Sequence, residues 1–399
     1  MPPPLHTLAD AALEVRWRSA GDLLASFRDV LLERAEGEAP RWATARDWSC
    51  WLAELSADQL DMAEQHGLSA CLDGAPADLV SLVGEAVALV DLPVQPAPGT
   101  LARARSVKQR KRPQVAAFAA AVADLARGAP RIVDFGAGHG HLTRHLAEAF
   151  DVDALGVDRV AAHVEAATAH GGPTRFVTFD LLEEGFPLRS GDLLVGLHAC
   201  GALTDRLVTT AARRGCSAAW VSCCLQRTDD ALRAPLVARP GLDLDLPQRV
   251  LGLSNARPQT RWVRSTLPAV HARRARREAL RLLLQDRGVA VPPGDEMRGL
   301  TQRQLNPGLE AVAGRVLARR GLPAPTAAEL SSAEAAGQRA SEARRRFELP
   351  RRALGPVLEL YVNLDRAMYL CRAGYTVALT KLFDDAVSPR NTMGLCAPP

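Results

Sequence analysis

The chain has 399 residues, 47% of them hydrophobic and 24% charged, and carries a net charge of +4. That composition excludes a wholly disordered chain, a collagen-like repeat and a coiled-coil rod, and no apolar run is long enough for a membrane span. Eight cysteines are too sparse for a disulfide scaffold, and the opening Met1-Pro2-Pro3-Pro4 lacks the pattern of a signal peptide, so a reducing cytoplasm is expected.

Residues 1–100 read as an N-terminal helical region. Leu23, Leu24, Phe27, Val30 and Leu31 form one helical stripe, and Trp42, Trp48, Trp51 and Leu52 another. Pro93 to Pro98 is a linker-like run. A basic stretch, Lys108 to Arg112, leads into an Ala-rich helix that ends near Gly128. Basic residues are otherwise almost all arginine, with lysine only at 108, 111 and 381. That bias lowers the weight of arginine and raises that of Lys108 and Lys111 as flexible point charges.

Residues 101–228 then alternate short apolar strands with amphipathic helices. Strands are predicted at Arg131 to Phe135, Ala154 to Asp158, Arg175 to Phe179, Leu193 to Leu197 and Ala218 to Ser222. Helices are predicted at Leu142 to Phe150, Ala161 to His170 and Leu203 to Arg213. Residues 229–354 break the rhythm as an Arg-rich, mostly helical insertion with basic runs at Arg273 to Arg277 and Arg344 to Arg346. Residues 355–399 resume the pattern with a helix from Gly355 to Arg372 and strands at Thr376 to Leu382 and Thr392 to Cys396. The fold class is therefore α/β: a Rossmann-like doubly wound sheet with a reversed C-terminal strand hairpin, plus the N-terminal helices and the insertion.

Where the first strand meets its helix, the chain reads Asp134-Phe135-Gly136-Ala137-Gly138-His139-Gly140. Glycines there let the backbone turn tightly and a ligand approach closely. A dinucleotide fingerprint needs a further glycine at 141, which is His141, so a nicotinamide oxidoreductase is disfavoured. The acid at 134 would repel a pyrophosphate but suits an ammonium group, which points to S-adenosylmethionine. Asp158 ends the second strand, placed for ribose hydroxyls, and Asp180, followed by Leu181, ends the third, placed for an adenine amino group. Each of these two acids alone is equally well read as a helix cap. Gly136, Gly138, Gly140 and His198 complete the expected cofactor contacts.

This pattern resembles class I S-adenosylmethionine-dependent methyltransferases. Leu197-His198-Ala199-Cys200-Gly201-Ala202-Leu203-Thr204-Asp205 more specifically resembles the family of methyltransferase-like protein 25 and the glutathione S-transferase C-terminal-domain-containing protein. Arg110 to Val115, Ser222-Cys223-Cys224 and Ser388-Pro389-Arg390-Asn391 match the same family pattern, over roughly residues 106–226 and 355–399. Two positions depart from it: Gln114 stands where the family carries Glu, and Leu225 where it carries an aromatic.

Candidate catalytic residues are His198, as general base or positioning group, Cys200, and Lys111, which the resemblance puts on the active-site rim. The Asp/Asn-Pro-Pro-aromatic turn of amino-methylating enzymes is absent. A cysteine-nucleophile mechanism through Cys200 or Cys223 is disfavoured, because Cys200 lacks a neighbouring proline and acid. His198, Cys200, Cys223 and Cys224 offer nitrogen and sulfur ligands, but the spacing is unlike a zinc knuckle, and the thiols are read as compact packing with no metal. The basic insertion and partial similarity to tRNA 2′-O-methyltransferases favour an RNA acceptor, tRNA or rRNA. A protein or small-molecule acceptor is the alternative, as is a catalytically silent binding or regulatory protein of the same fold.

Overall fold

The structure is a computed structural model that describes residues 10–35, 38–95, 111–255, 266–292, 294–385 and 387–399. Residues 96–98 of the proline-rich linker, and Lys108, Gln109 and Arg110 of the basic stretch, lie outside the described residues. The chain forms two compact units: residues 1–28, 84–260 and 354–399 make one, and residues 29–83 and 261–353 the other. The division thus groups part of the N-terminal helical region with the later helices, and residues 229–260 with the sheet.

Before the sheet come helices α1 (Asp10–Ser26), α2 (Arg28–Leu32), α3 (Arg41–Ala45), α4 (Ser49–Glu54), α5 (Ala57–His66) and α6 (Ala77–Leu89). The sheet domain then runs α7 (Arg112–Gly128), β1 (Ile132–Phe135), α8 (His141–Phe150), β2 (Ala154–Asp158), α9 (Ala161–Ala169), β3 (Arg175–Thr178), β4 (Leu193–Leu197), α10 (Ala202–Arg214) and β5 (Ser217–Val221). After α11 (Gln248–Leu251), α12 (Leu267–Asp286) and α13 (Glu310–Ala318), α14 (Ala327–Arg372) leads to β6 (Thr376–Lys381) and β7 (Thr392–Ala397).

The seven strands are ordered β3-β2-β1-β4-β5-β7-β6. β1 to β5 run parallel, and β7 is antiparallel to both β5 and β6. This is the doubly wound sheet with a reversed final hairpin that the sequence predicts. Strands β1, β4 and β5 are apolar along almost their whole length because helices cover both faces. On one face α7 and α8 supply Phe118, Val122 and Leu146, which pack with Ile132, Val195 and Val221. On the other, Gly196 leaves room for Leu207 of α10, 3.1 Å from where a Cβ would stand. Trp220 there donates its indole N–H to Asn363 of α14 at 3.1 Å.

One helix differs from expectation. α14 begins at Ala327, not at Gly355, and spans 46 residues. Gly337 and Gly355 lie inside this helix, and each marks a close approach. A Cβ at 337 would lie 2.5 Å from the backbone nitrogen of Ala279, and one at 355 would lie 2.5 Å from the carbonyl of Leu253.

In the second unit both arginine runs have internal partners. Arg276 donates to the carbonyls of Leu305 and Asn306, Arg273 to the Asn306 side chain, and Arg277 to Glu296. Arg344 reaches Glu278 and the Ala35 carbonyl, Arg345 reaches Asp61, and Arg346 the Leu55 carbonyl. Arg274 donates to Glu64 at 2.8 Å, as does Arg352 at 2.9 Å, while the His271 ring approaches the other carboxylate oxygen at 2.7 Å. These guanidiniums thus brace helices within the unit.

Burial pushes the Glu64 carboxyl up, and Arg352 and Arg274 more than reverse it, holding it at about 2 against an ordinary 4.5. Because this value is depressed, the stabilisation is complete above pH 4.5 and disappears as pH falls towards 2. Glu64→Ala leaves several guanidiniums without their counter-charge and should cost about 3–5 kcal/mol. Urea unfolding should show that loss at neutral pH and a flatter dependence on pH below 4.5.

Candidate functional site

The residues of the site all belong to the sheet unit and gather at the C-terminal ends of β1, β2, β4 and β5. Open α/β sheets bind ligands at this edge. Asp134, in β1, is only 2% exposed and accepts a 2.7 Å hydrogen bond from the Thr143 hydroxyl of α8. Burial drives its carboxyl up to about 7; Thr143 opposes the rise and the Asp158 charge adds to it.

The turn that follows has positive φ at Gly136 (76°), Gly138 (55°) and Gly140 (72°), but the three glycines serve different ends. At Gly138 no atom lies within 4 Å of where a Cβ would stand, and its N–H donates to Asp158 Oδ2 at 2.9 Å. At Gly140 a Cβ would sit 2.3 Å from the Phe176 ring. Gly136 is bound to the Val157 carbonyl at 2.9 Å, with Leu203 beside it. Gly138 therefore faces open space, whereas Gly140 is a packing position that also starts α8, whose N-terminal end favours negative charge.

Asp158 accepts from Gly138 through Oδ2, and through Oδ1 from the Val160 N–H at 2.9 Å and from the His163 ring at 3.3 Å. It ties the glycine turn to the end of β2. Asp180 accepts from the Leu182 N–H at 3.1 Å, with Arg159 3.7 Å away. Leu181 is buried and lines a cavity of about 270 Å³ with Phe135, Phe186 and Arg206. Phe135 points to the opposite sheet face from Asp134, which groups Leu181 with that cavity and not with the loop acids.

A rim of imidazoles surrounds the glycine turn, with ring centroids 5.2 Å apart for His139 and His163 and 6.1 Å for His141 and His170. Burial, then Arg144, and then His139, His170 and Lys111, push His141 below its ordinary value. Lys111 is exposed at the N-terminal cap of α7, and its influence on His141 puts its charge on this rim.

His198 adopts φ of 71°, an uncommon conformation for a side-chain-bearing residue. Its backbone N–H holds the Val221 carbonyl at 2.9 Å, and its Nε2 meets Gln114 Oε1 at 2.9 Å. An amide oxygen only accepts, so Nε2 carries the hydrogen and Nδ1 is the basic nitrogen of the neutral ring. Cys200 Sγ lies 2.9 Å from Cys223 Sγ and 3.1 Å from the His198 carbonyl. Hydrogen bonding from Cys223 outweighs burial and lowers the Cys200 thiol to about 6, while Cys223 is pushed up by the same contact.

A buried ion network fixes these loops. Arg366 of α14 donates to Asp205 at 2.7 Å, to the Ser222 hydroxyl at 2.8 Å and to the Gly201 carbonyl at 3.2 Å. Arg233 joins Asp205 at 3.0 Å to Asp365 at 2.8 Å. Gly201 has no alternative, because a Cβ there would overlap the Arg227 carbonyl. Arg233, Asp365 and Arg366 escape sequence reading, because their partners lie far along the chain and follow no local spacing.

A protein-family model described as a methyltransferase domain matches residues 110–230. No curated protein matches the chain. Among solved structures, a protein of Thermoplasma acidophilum is similar at 15% identity over 30% of this chain and 66% of that one, with a TM-score of 0.26. A sugar N-methyltransferase from Streptoalloteichus matches at 24% identity over 32% and 60%, with a TM-score of 0.25. Human N-acetylserotonin methyltransferase, solved with S-adenosylmethionine, matches at 16% identity over 45% and 50%, with a TM-score of 0.25. The chain thus spans about half to two thirds of the length of these structures. The strand order and the reversed hairpin, not these overlaps, carry the fold assignment.

The two loop glycines make a testable contrast. Gly138→Ala should cost only the strain of a left-handed residue, about 1–2 kcal/mol. Gly140→Ala adds displacement of the Phe176 ring and should cost about 1–3 kcal/mol more in urea unfolding.

Proposed function

We propose that the chain is an S-adenosylmethionine-dependent methyltransferase. The observation that carries the reading is the pairing of a buried acid near neutrality, Asp134, with open space over Gly138 beside a second acid, Asp158. A cationic nucleoside fits this donor set: Asp134 balances its positive end and Asp158 accepts from its hydroxyls, while the bare turn admits its backbone-hugging middle. The cofactor supplies an electrophilic sulfonium methyl, and the leaving thioether is neutral, so the protein's task is alignment and exclusion of water. His198, held by Gln114, orients the acceptor beside the cofactor's methyl.

Our reading of the acceptor is RNA, tRNA or rRNA. Its support is the exposed pair Lys111 and Arg112 at the start of α7; the arginine runs of the other unit add nothing, since their guanidiniums have internal partners. Gln114 favours a second reading, a silent binding protein. An amide leaves His198 without the anionic partner that a Glu would give, and so without the pull that makes an imidazole a stronger base.

Calorimetry with S-adenosylhomocysteine tests cofactor recognition. Because Asp134 is held near 7 and must ionise to face the α-ammonium group that S-adenosylhomocysteine shares with the cofactor, affinity should rise about ten-fold from pH 6 to pH 8, and Asp134→Asn should bind weakly with no such slope. No binding at any pH would overturn the reading. Transfer of radiolabelled methyl into total RNA should be lost in His198→Ala with binding retained; labelling of protein or small molecules instead would replace the acceptor, and none at all would favour the silent protein. Binding to bulk tRNA should weaken as salt rises.

A further inference from the structure

We propose that Cys200, Cys223 and Cys224 form a three-thiolate site for a soft or borderline divalent cation of the zinc class, with the fourth coordination position left to water or another small donor. The three sulfurs lie within 4.8 Å of one another. Cys200 and Cys223 are 2.9 Å apart, and Cys223 and Cys224 3.6 Å. A tetrahedral ion with Zn–S bonds of about 2.3 Å spreads its sulfurs to about 3.8 Å, so the thiols need move by less than about 1 Å to receive it.

Packing does not account for this convergence. Thiols that merely fill space are buried, as Cys216 and Cys396 are, whereas these three are all partly exposed. Register explains how they meet. Leu197 of β4 pairs with Val221 of β5, so Cys200 and Cys223 leave the sheet side by side three and two residues later.

The loops that carry them are braced from outside the cluster. Arg366 holds Gly201 and Ser222, the residues next to Cys200 and Cys223, and the Thr204 hydroxyl donates to the Ala199 carbonyl at 2.6 Å. Ala202 is tied to the Arg227 carbonyl at 2.8 Å. Such outer contacts orient first ligands and hold a site ready before the ion arrives. Three protein donors instead of four is the count of an open site rather than a closed structural one.

His198 contributes no ring nitrogen to this cluster, since its Nε2 is bound to Gln114. A second convergence among the described residues, Asp61, Glu64 and His271, is unsuited to a cation, because Arg274, Arg345 and Arg352 already crowd that carboxylate.

The test uses the full chain, stripped with chelator and kept reduced. Titration with Co²⁺ should give a thiolate-to-cobalt charge-transfer band that saturates at one equivalent and is displaced by Zn²⁺. The band should be lost in Cys200→Ser and in Cys223→Ser, and kept in Cys216→Ser. Should those variants fail to fold, the wild-type chain suffices: Zn²⁺ should protect Cys200, Cys223 and Cys224 from iodoacetamide at least ten-fold, while exposed Cys50 is labelled as before. Absence of the band in the folded, reduced protein, survival of the band in both variants, or equal labelling with and without Zn²⁺ would each overturn the proposal. All three readouts are independent of methyl transfer and of nucleoside binding.

Discussion

Two carboxyl groups on neighbouring parallel strands, Asp134 and Asp158, share one glycine turn, and the rest of the site is arranged around the problem they pose. Like charges in a low-dielectric pocket cannot both ionise without compensation. Asp158 accepts from the Gly138 and Val160 backbone, whereas Asp134 is buried against Thr143, and burial, helped by the Asp158 charge, pushes its carboxyl up to about 7. In the function proposed above, this strain is what a ligand bringing positive charge would relieve.

The second half of the site depends on a different device. The loops after β4 and β5 are irregular, carry one left-handed histidine and one sterically obligatory glycine, and would be mobile without support. Arg366 and Arg233, with Asp205 and Asp365, supply it from below. A buried four-charge network adds little net stability compared with apolar packing, but it fixes directions. Arg366 reaches Gly201 and Ser222, the residues next to Cys200 and Cys223. Placement of the reactive groups is thus set by residues from α10, α14 and the segment after β5.

The strands were legible in the sequence because each is a short apolar run whose neighbours are glycine, proline or charged residues, and the parallel order follows from alternation. The glycine turn and its acids were legible for the same local reason. What the sequence concealed is whatever depends on a partner far along the chain. Gly337 and Gly355 let α14 pass close to other backbone, a contact no local pattern announces. The arginine runs left phosphate contact and a plain helix face both open; their acceptors include Glu64, Glu278, Glu296 and backbone carbonyls in the same unit. Gln114 was visible as a departure from a family pattern, but only the fold shows that it holds the ring of His198 across 84 positions. The thiols were considered together from the sequence, but spacing alone could not say how closely β4 and β5 bring them.

The central claim is that the carboxyl at the end of β1 is neutral when the crevice is empty and ionises when a cationic nucleoside enters. Infrared difference spectroscopy on addition of S-adenosylmethionine just below pH 7 reads this directly. The account predicts loss of a carboxylic-acid carbonyl band and gain of a carboxylate band, both missing in Asp134→Asn. A protein that binds the cofactor with no change in that region, or whose band change survives the substitution, would contradict it.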